Sequence, residues 1–145
     1  MQYAMDTNII IHLLHGTAAV REARDNALKR GAKLIIPPFV NYEIMRGFLY
    51  QAAPKREAIY RLMKESYAIG EMTTSTWEKA AAVYATVRHA GFTVGDADIL
   101  IAAFCLVNGF TLVTNNTRDF NNMVGLKLAD WTKPTANNFS SSSHE

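Results

Sequence analysis

The sequence predicts an α/β fold: a mostly parallel sheet of about five strands with helices on both faces. Two observations carry this reading. Short β-like runs alternate along the chain with segments whose apolar residues recur about every 3.6 positions. Strands separated by helices must cross over to pair again, which makes the sheet parallel and buries both its faces.

The elements follow in order. Residues 2–5 form the first strand, and 9–14 begin a helix directly after it. Val20, Ala23, Ala27 and Leu28 mark one face of a second helix, which Gly31 terminates. A strand at 33–36 leads into a helix over 39–50 whose apolar positions are Phe39, Tyr42, Met45 and Leu49. Pro54 suits the first turn of a helix over 54–66. A strand at 67–69 extends toward Met72, and a helix over 77–89 takes Thr76 as its N-cap. Residues 98–107 are nearly all apolar, so that helix is buried on most sides and Gly109 closes it. Strands at 111–114 and, more weakly, 126–129 complete the sheet. The expected organisation is one domain over residues 1–132 and a polar, serine-rich, disordered tail over 133–145.

At 145 residues the chain can bury about two-thirds of the surface it would expose unfolded. Its hydrophobic content of 49% and mean hydropathy of −0.04 read as globular. No apolar run reaches the roughly 18 residues a membrane span needs, and Asp6 interrupts any secretory core. The lone Cys105 cannot form an internal disulfide, which points to the reducing cytoplasm; its apolar neighbours favour a buried filler over a catalytic thiol. The net charge of +2 permits a nucleic-acid partner without requiring one. Arg21, Arg24, Lys29, Arg30, Lys33, Arg46, Lys55, Arg56, Arg61 and Lys64 form either a solvated helical surface or an RNA-facing patch. Neither G-x-G-x-x-G nor a P-loop is present, and Asp6-Thr7-Asn8 is not the Asp-x-Asp of haloacid-dehalogenase-like phosphatases.

Ligands of such sheets bind beyond the strands' carboxyl ends, where several acids fall. Asp6 follows the first strand, where it could equally cap a helix. Glu43 lies on an apolar stripe, where an unpaired charge is expensive unless Arg46 or Arg61 pairs with it. Asp98 opens the apolar helix and could serve its dipole. Asp96, about 200° around that helix, is either a cap or a further ligand. Asp119 follows the last strong strand and its polar turn, where an Asx turn is the plain alternative. Thr114 and Asn116 can donate hydrogen bonds to acids or water. Gathered together, these carboxylates repel and call for a cation. Oxygen-only donors select a hard ion, Mg2+ or Mn2+. The four histidines show no metal-ligand spacing and are expected on the surface.

Five segments then occur in one order: Met5-Asp6-Thr7-Asn8; Asn41-Tyr42-Glu43-Ile44-Met45-Arg46-Gly47; Gly95-x-x-Asp98-x-Leu100-Ile101-Ala102-Ala103; Leu112-Val113-Thr114-Asn115-Asn116-Thr117-Arg118-Asp119-Phe120; and Gly125-Leu126-x-x-x-x-Asp130-Trp131. Over roughly residues 3–131 the chain resembles the PIN-domain family, and the last segment resembles the VapC-type toxins within it. The resemblance implies a PIN-like three-layer sandwich and a Mg2+- or Mn2+-dependent endoribonuclease, cutting tRNA or rRNA. It also implies a homodimer and a cognate antitoxin whose C-terminal segment lies over the site. The acids it implies are Asp6, Glu43 and Asp98, with Asp119 near a fourth place where many relatives carry an acid at the position of Asn116. Asp6, Asp98 and Asp119 are expected at the metal and Glu43 at the attacking water. Thr7, Thr114 and Asn116 would orient them, and Asp96 would support the site. A PIN-fold RNA- or protein-binding module without turnover is the alternative.

Overall fold

The computed structural model describes residues 1–134 and 139–141. The elements run β1 (Gln2–Met5), α1 (Thr7–His15), α2 (Ala18–Lys29), β2 (Lys33–Ile36), α3 (Pro38–Tyr50), α4 (Pro54–Lys64) and β3 (Ala68–Ile69). They continue with α5 (Thr74–His89), α6 (Asp96–Asn108), β4 (Thr111–Val113), α7 (Thr117–Phe120), β5 (Lys127–Ala129) and β6 (Phe139–Ser141). The sheet order is β3-β2-β1-β4-β5-β6. The first five strands are parallel, as expected.

Strand β6 departs from the expectation for the tail. It pairs antiparallel with β5, Leu128 opposite Ser140. The free edge of β5 offers unpaired N–H and C=O groups, and a short polar segment can satisfy them without a core-facing pattern of its own. The rest of the expected tail beyond residue 134 lies outside the described residues.

The chain runs from β1 outward to β2 and β3, then returns to the other side of β1 with β4 and β5. The strand order therefore reverses between β1 and β4, and the crevice at their carboxyl ends is where such sheets bind ligands. Tyr3, Ala4, Met5, Ile36, Leu112, Val113 and Leu128 are buried in the sheet. Helix α6 carries Ile99, Ile101, Ala102, Ala103, Phe104 and Cys105 into the core, which explains its nearly continuous apolar run. Gly109 ends it in the left-handed conformation, φ 71°. Gly70 lies so close to the Phe104 ring that a Cβ there would collide with Phe104 Cζ.

Two local details differ from the sequence reading. Thr73 caps α5, its hydroxyl accepting from the Thr76 amide at 3.2 Å, so the helix starts three residues before Trp77. Several Ser and Thr residues compete for that role, and the buried Thr76 is drawn into the first turn. The turn after β4 closes into α7, which brings Phe120 into the core. Phe48 and Tyr60 are buried against each other, their rings 6.1 Å apart. Tyr50 is 92% exposed. No helix among the described residues is long and apolar enough to cross a membrane.

Candidate active site

Each acid reaches the crevice by a different route. Asp6 is the first residue past β1, and its amide still extends the sheet by donating to Val113 O at 2.9 Å. The side chain is 7% exposed and doubly held. Oδ1 accepts from the Thr7 amide and Oδ2 from Thr114 Oγ1, both at 2.8 Å. Asp6 is thus the N-cap of α1 and also a member of the acidic group, so the two readings coexist.

Helix α3 begins where β2 ends, which brings Glu43 to the same sheet edge. Its Oε1 accepts from Thr7 Oγ1 at 2.7 Å. Arg46 is the expected charge partner, yet Nη2 stands 3.8 Å from Oε2 and the side chain is exposed, so solvent weakens the pair. Arg61 pairs with Glu57 instead, at 2.8 Å. Thr7 therefore links Asp6 to Glu43, its amide to one carboxylate and its hydroxyl to the other.

Helix α6 runs back before β4, so its N-terminus also lies at the carboxyl edge. Asp98 sits in its first turn, partly buried. Burial, then Asp6, Asp119 and Glu43, push its carboxyl up to about 6. Among the described residues no protein donor bonds to it. Asp6 is also raised, first by burial and then by Glu43, while the bonds from Thr114 and Thr7 pull the other way.

Asp119 stands on α7, more exposed, with Oδ2 accepting from Asn116 Nδ2 at 2.9 Å. The Asn116 amide in turn donates to Thr114 Oγ1 at 3.0 Å. A continuous chain therefore runs Glu43–Thr7–Asp6–Thr114–Asn116–Asp119, with uncharged groups holding charged ones.

Asp96 is apart from this group. It lies inside α6 with Gly95 as cap, and it lines the far side of the helix against α5. Cys105 is fully buried and its thiol is pushed strongly up by burial and by Asp6, which suits packing and excludes a ready thiolate. Asp130, in the Gly125–Trp131 segment, is also buried and anchors the following turn by accepting from the Thr132 amide at 2.9 Å. An acid one residue past β5 was the available signal.

The donor set is oxygen only. Among the described residues, no three Asp, Glu, His or Cys form a ready cage for an ion. Magnesium keeps several of its own waters and needs one or two carboxylates, so an open acidic crevice suits it better than it suits zinc.

Beside Glu43 a groove of about 430 Å³ opens between α1, α3 and α4. Its walls include Ile11, Leu14, Phe48 and Ile59, with Arg56 among its polar residues.

A parallel α/β sheet with carboxylates gathered at its reversal point is the class of protein this geometry defines. The model of the PIN domain family matches residues 3–126, and the chain belongs to that family. Within it, the chain is similar to VapC ribonucleases. It is 29% identical over 136 residues to the tRNA(fMet)-specific endonuclease VapC of Shigella flexneri, covering 90% of this chain and 98% of that protein. It is 28% identical over 138 residues to Ribonuclease VapC1 of Haemophilus influenzae strain R2866, covering 92% and 100%. Among solved structures, VapBC-1 from nontypeable Haemophilus influenzae superposes with a TM-score of 0.82 at 25% identity, covering 92% of this chain and 100% of that one. VapBC2 from Rickettsia felis, bound to a promoter DNA fragment, superposes at 0.84 with 20% identity, covering 90% and 99%; at that identity the likeness speaks for the fold.

Proposed function

We propose that this chain is the ribonuclease toxin of a toxin–antitoxin pair: an endoribonuclease that hydrolyses RNA phosphodiester bonds using Mg2+ or Mn2+. The observation that carries the reading is the convergence of Asp6, Glu43, Asp98 and Asp119 at one sheet edge, where Asp6, Asp119 and Glu43 add to burial in raising the Asp98 carboxyl. Packed carboxylates that repel one another are stable in company with a cation. The names of the relatives, ribonuclease and tRNA(fMet)-specific endonuclease, support an RNA substrate, and tRNA or rRNA is the class proposed.

Asp6 and Asp98 would hold the ion, and Asp119 would complete the set directly or through water. Bound there, the ion supplies charge stabilisation to phosphoryl oxygens and lowers the pKa of water. Asp6 is presented in one rotamer because Thr7 and Thr114 occupy one oxygen each. Glu43, with Oε1 fixed by Thr7, would orient the attacking water and take its proton. Asn116 fixes Asp119 in the same way. Attack by water leaves a 5′-phosphate and a 3′-hydroxyl.

The neighbouring groove, apolar with an Arg at its wall, suits a segment of a cognate antitoxin. The VapBC and toxin–antitoxin names of the structural neighbours support such a partner. A homodimer and a cytoplasmic setting complete the proposal. The test is cleavage of tRNA and rRNA with and without Mg2+. Asp6→Asn should abolish cleavage while the protein stays folded. Recovery of 2′,3′-cyclic phosphates, or full activity in excess EDTA, would refute the chemistry; a folded wild type that cuts no RNA would favour a binding module.

A further inference from the structure

Asp96 takes no part in the acidic crevice, although it opens the same helix as Asp98. It lines a separate slot of about 280 Å³ between α5 and α6. Trp77, Ala80, Ala81 and Tyr84 of α5 border that slot, with Ile99 and Leu100 across from them. Their spacing of three, four and seven residues sets all four on one helical face. The alanines keep the floor low, and the two rings stand about 10 Å apart along the axis. Both rings are open, Trp77 53% and Tyr84 43% exposed. Arg88 stacks on Tyr84, its Cζ 5.4 Å from the ring centroid.

We propose that this slot is a nucleobase-binding subsite, taking an unpaired base of the substrate RNA next to the cleavage site. The inference rests on the ribonuclease reading above. Aromatic walls stack on any base. A carboxylate at the rim accepts only from N–H donors, which selects the base edge presented to it. Guanine fits best, because its Watson–Crick edge offers two adjacent N–H donors to the two oxygens of one carboxylate. Arg88 supplies the charge for the adjoining phosphate. A second copy of this chain seated on the rings is the competing occupant, and the sedimentation arm of the test below reads it. Asp96 and Asp98 lie on opposite flanks of one helical turn, so slot and crevice are separated by roughly a helix diameter, about 10 Å. That is one or two nucleotides along a strand.

The test uses ten-residue oligoribonucleotides of uridine carrying a single guanosine, a single inosine or neither. Binding in EDTA is followed by tryptophan fluorescence. Trp131 is 2% exposed, so quenching by a stacked base reports Trp77. Quenching is expected with guanosine at lower concentration than with inosine, which lacks the second donor, or with uridine alone. Asp96→Asn should erase the guanosine preference. Trp77→Ala should lower kcat/KM on the guanosine oligonucleotide about ten- to a hundredfold, the range for loss of base stacking. Cleavage by wild type with unchanged kcat/KM and unchanged cut sites in both variants overturns the subsite and leaves the nuclease standing. A wild type that cuts nothing yet shows the guanosine-selective quench overturns the nuclease and keeps the slot as an RNA site. Loss of a dimer in Trp77→Ala during sedimentation, without loss of quenching selectivity in Asp96→Asn relative to wild type, assigns the slot to self-association and overturns the proposal.

Discussion

Replacing Asp98 by asparagine should stabilise the protein in EDTA at neutral pH while destroying its activity. The Asp98 carboxyl sits at about 6 against an ordinary 3.8, about two units higher. Fully felt, that is about 3 kcal/mol of destabilisation once the group ionises. Asp98 is only partly buried, so solvent and salt reduce the figure to about 1–2 kcal/mol. Removing the charge also forfeits a favourable place in the first turn of α6, about 0.3–1 kcal/mol. The net gain is about 1 kcal/mol, or about 3–4 °C in Tm for a chain of this size. The sign follows from the raised value: the native carboxyl keeps its proton to higher pH than the unfolded one. Its contribution to wild-type stability is therefore present below about pH 4 and is lost as pH rises through 6. The advantage of Asp98→Asn should be absent at pH 4, grow between 4 and 6, and stay level above. Thermal melts of both proteins from pH 4 to 8 measure it. Adding Mn2+ should raise the Tm of wild type more than that of the variant and narrow or reverse the gap. A variant that is less stable by the same amount at pH 4 and pH 8, with no differential response to Mn2+, would show Asp98 to be a helix-terminus residue and refute the electrostatic argument.

Thr7→Val should keep the fold and lower kcat at least tenfold, because Glu43 loses its 2.7 Å donor; steady-state cleavage alongside a melting curve separates this from unfolding. Gly70→Ala should destabilise by about 1–3 kcal/mol, since the added methyl meets the buried Phe104 ring; chemical denaturation reads the loss, and an unchanged midpoint would mean the ring yields freely.

The parallel sheet was legible in the sequence because each strand is a short apolar run bounded by turns, and each crossover shows a helical period. Asp6 and Glu43 stood out for a related reason: a charge directly after a strand or on an apolar stripe needs a purpose. What the sequence left open was settled by direction. Spacing alone cannot say whether α6 begins before or after Asp96, and that one turn decides which flank of the helix Asp96 faces. The N-cap of α5 shifted because Thr73 and Thr76 are chemically equivalent caps, and only burial of Thr76 distinguishes them. Strand β6 was illegible because an edge strand needs backbone groups rather than a side-chain pattern. The aromatic slot was written in the spacing of Trp77, Ala80, Ala81 and Tyr84, but reads as ordinary helix surface until α6 is laid beside it.

The bond from Thr114 to Asp6 spans 108 positions in the chain. During synthesis the first acid emerges from the ribosome long before the hydroxyl that holds it, and before the strand that forms the other lip of the crevice. A nascent chain carrying Asp6 and Glu43 thus lacks a finished blade until β4 and α7 have been added and folded in. For the ribonuclease proposed above, that order of assembly would delay the hazard until translation has passed residue 119.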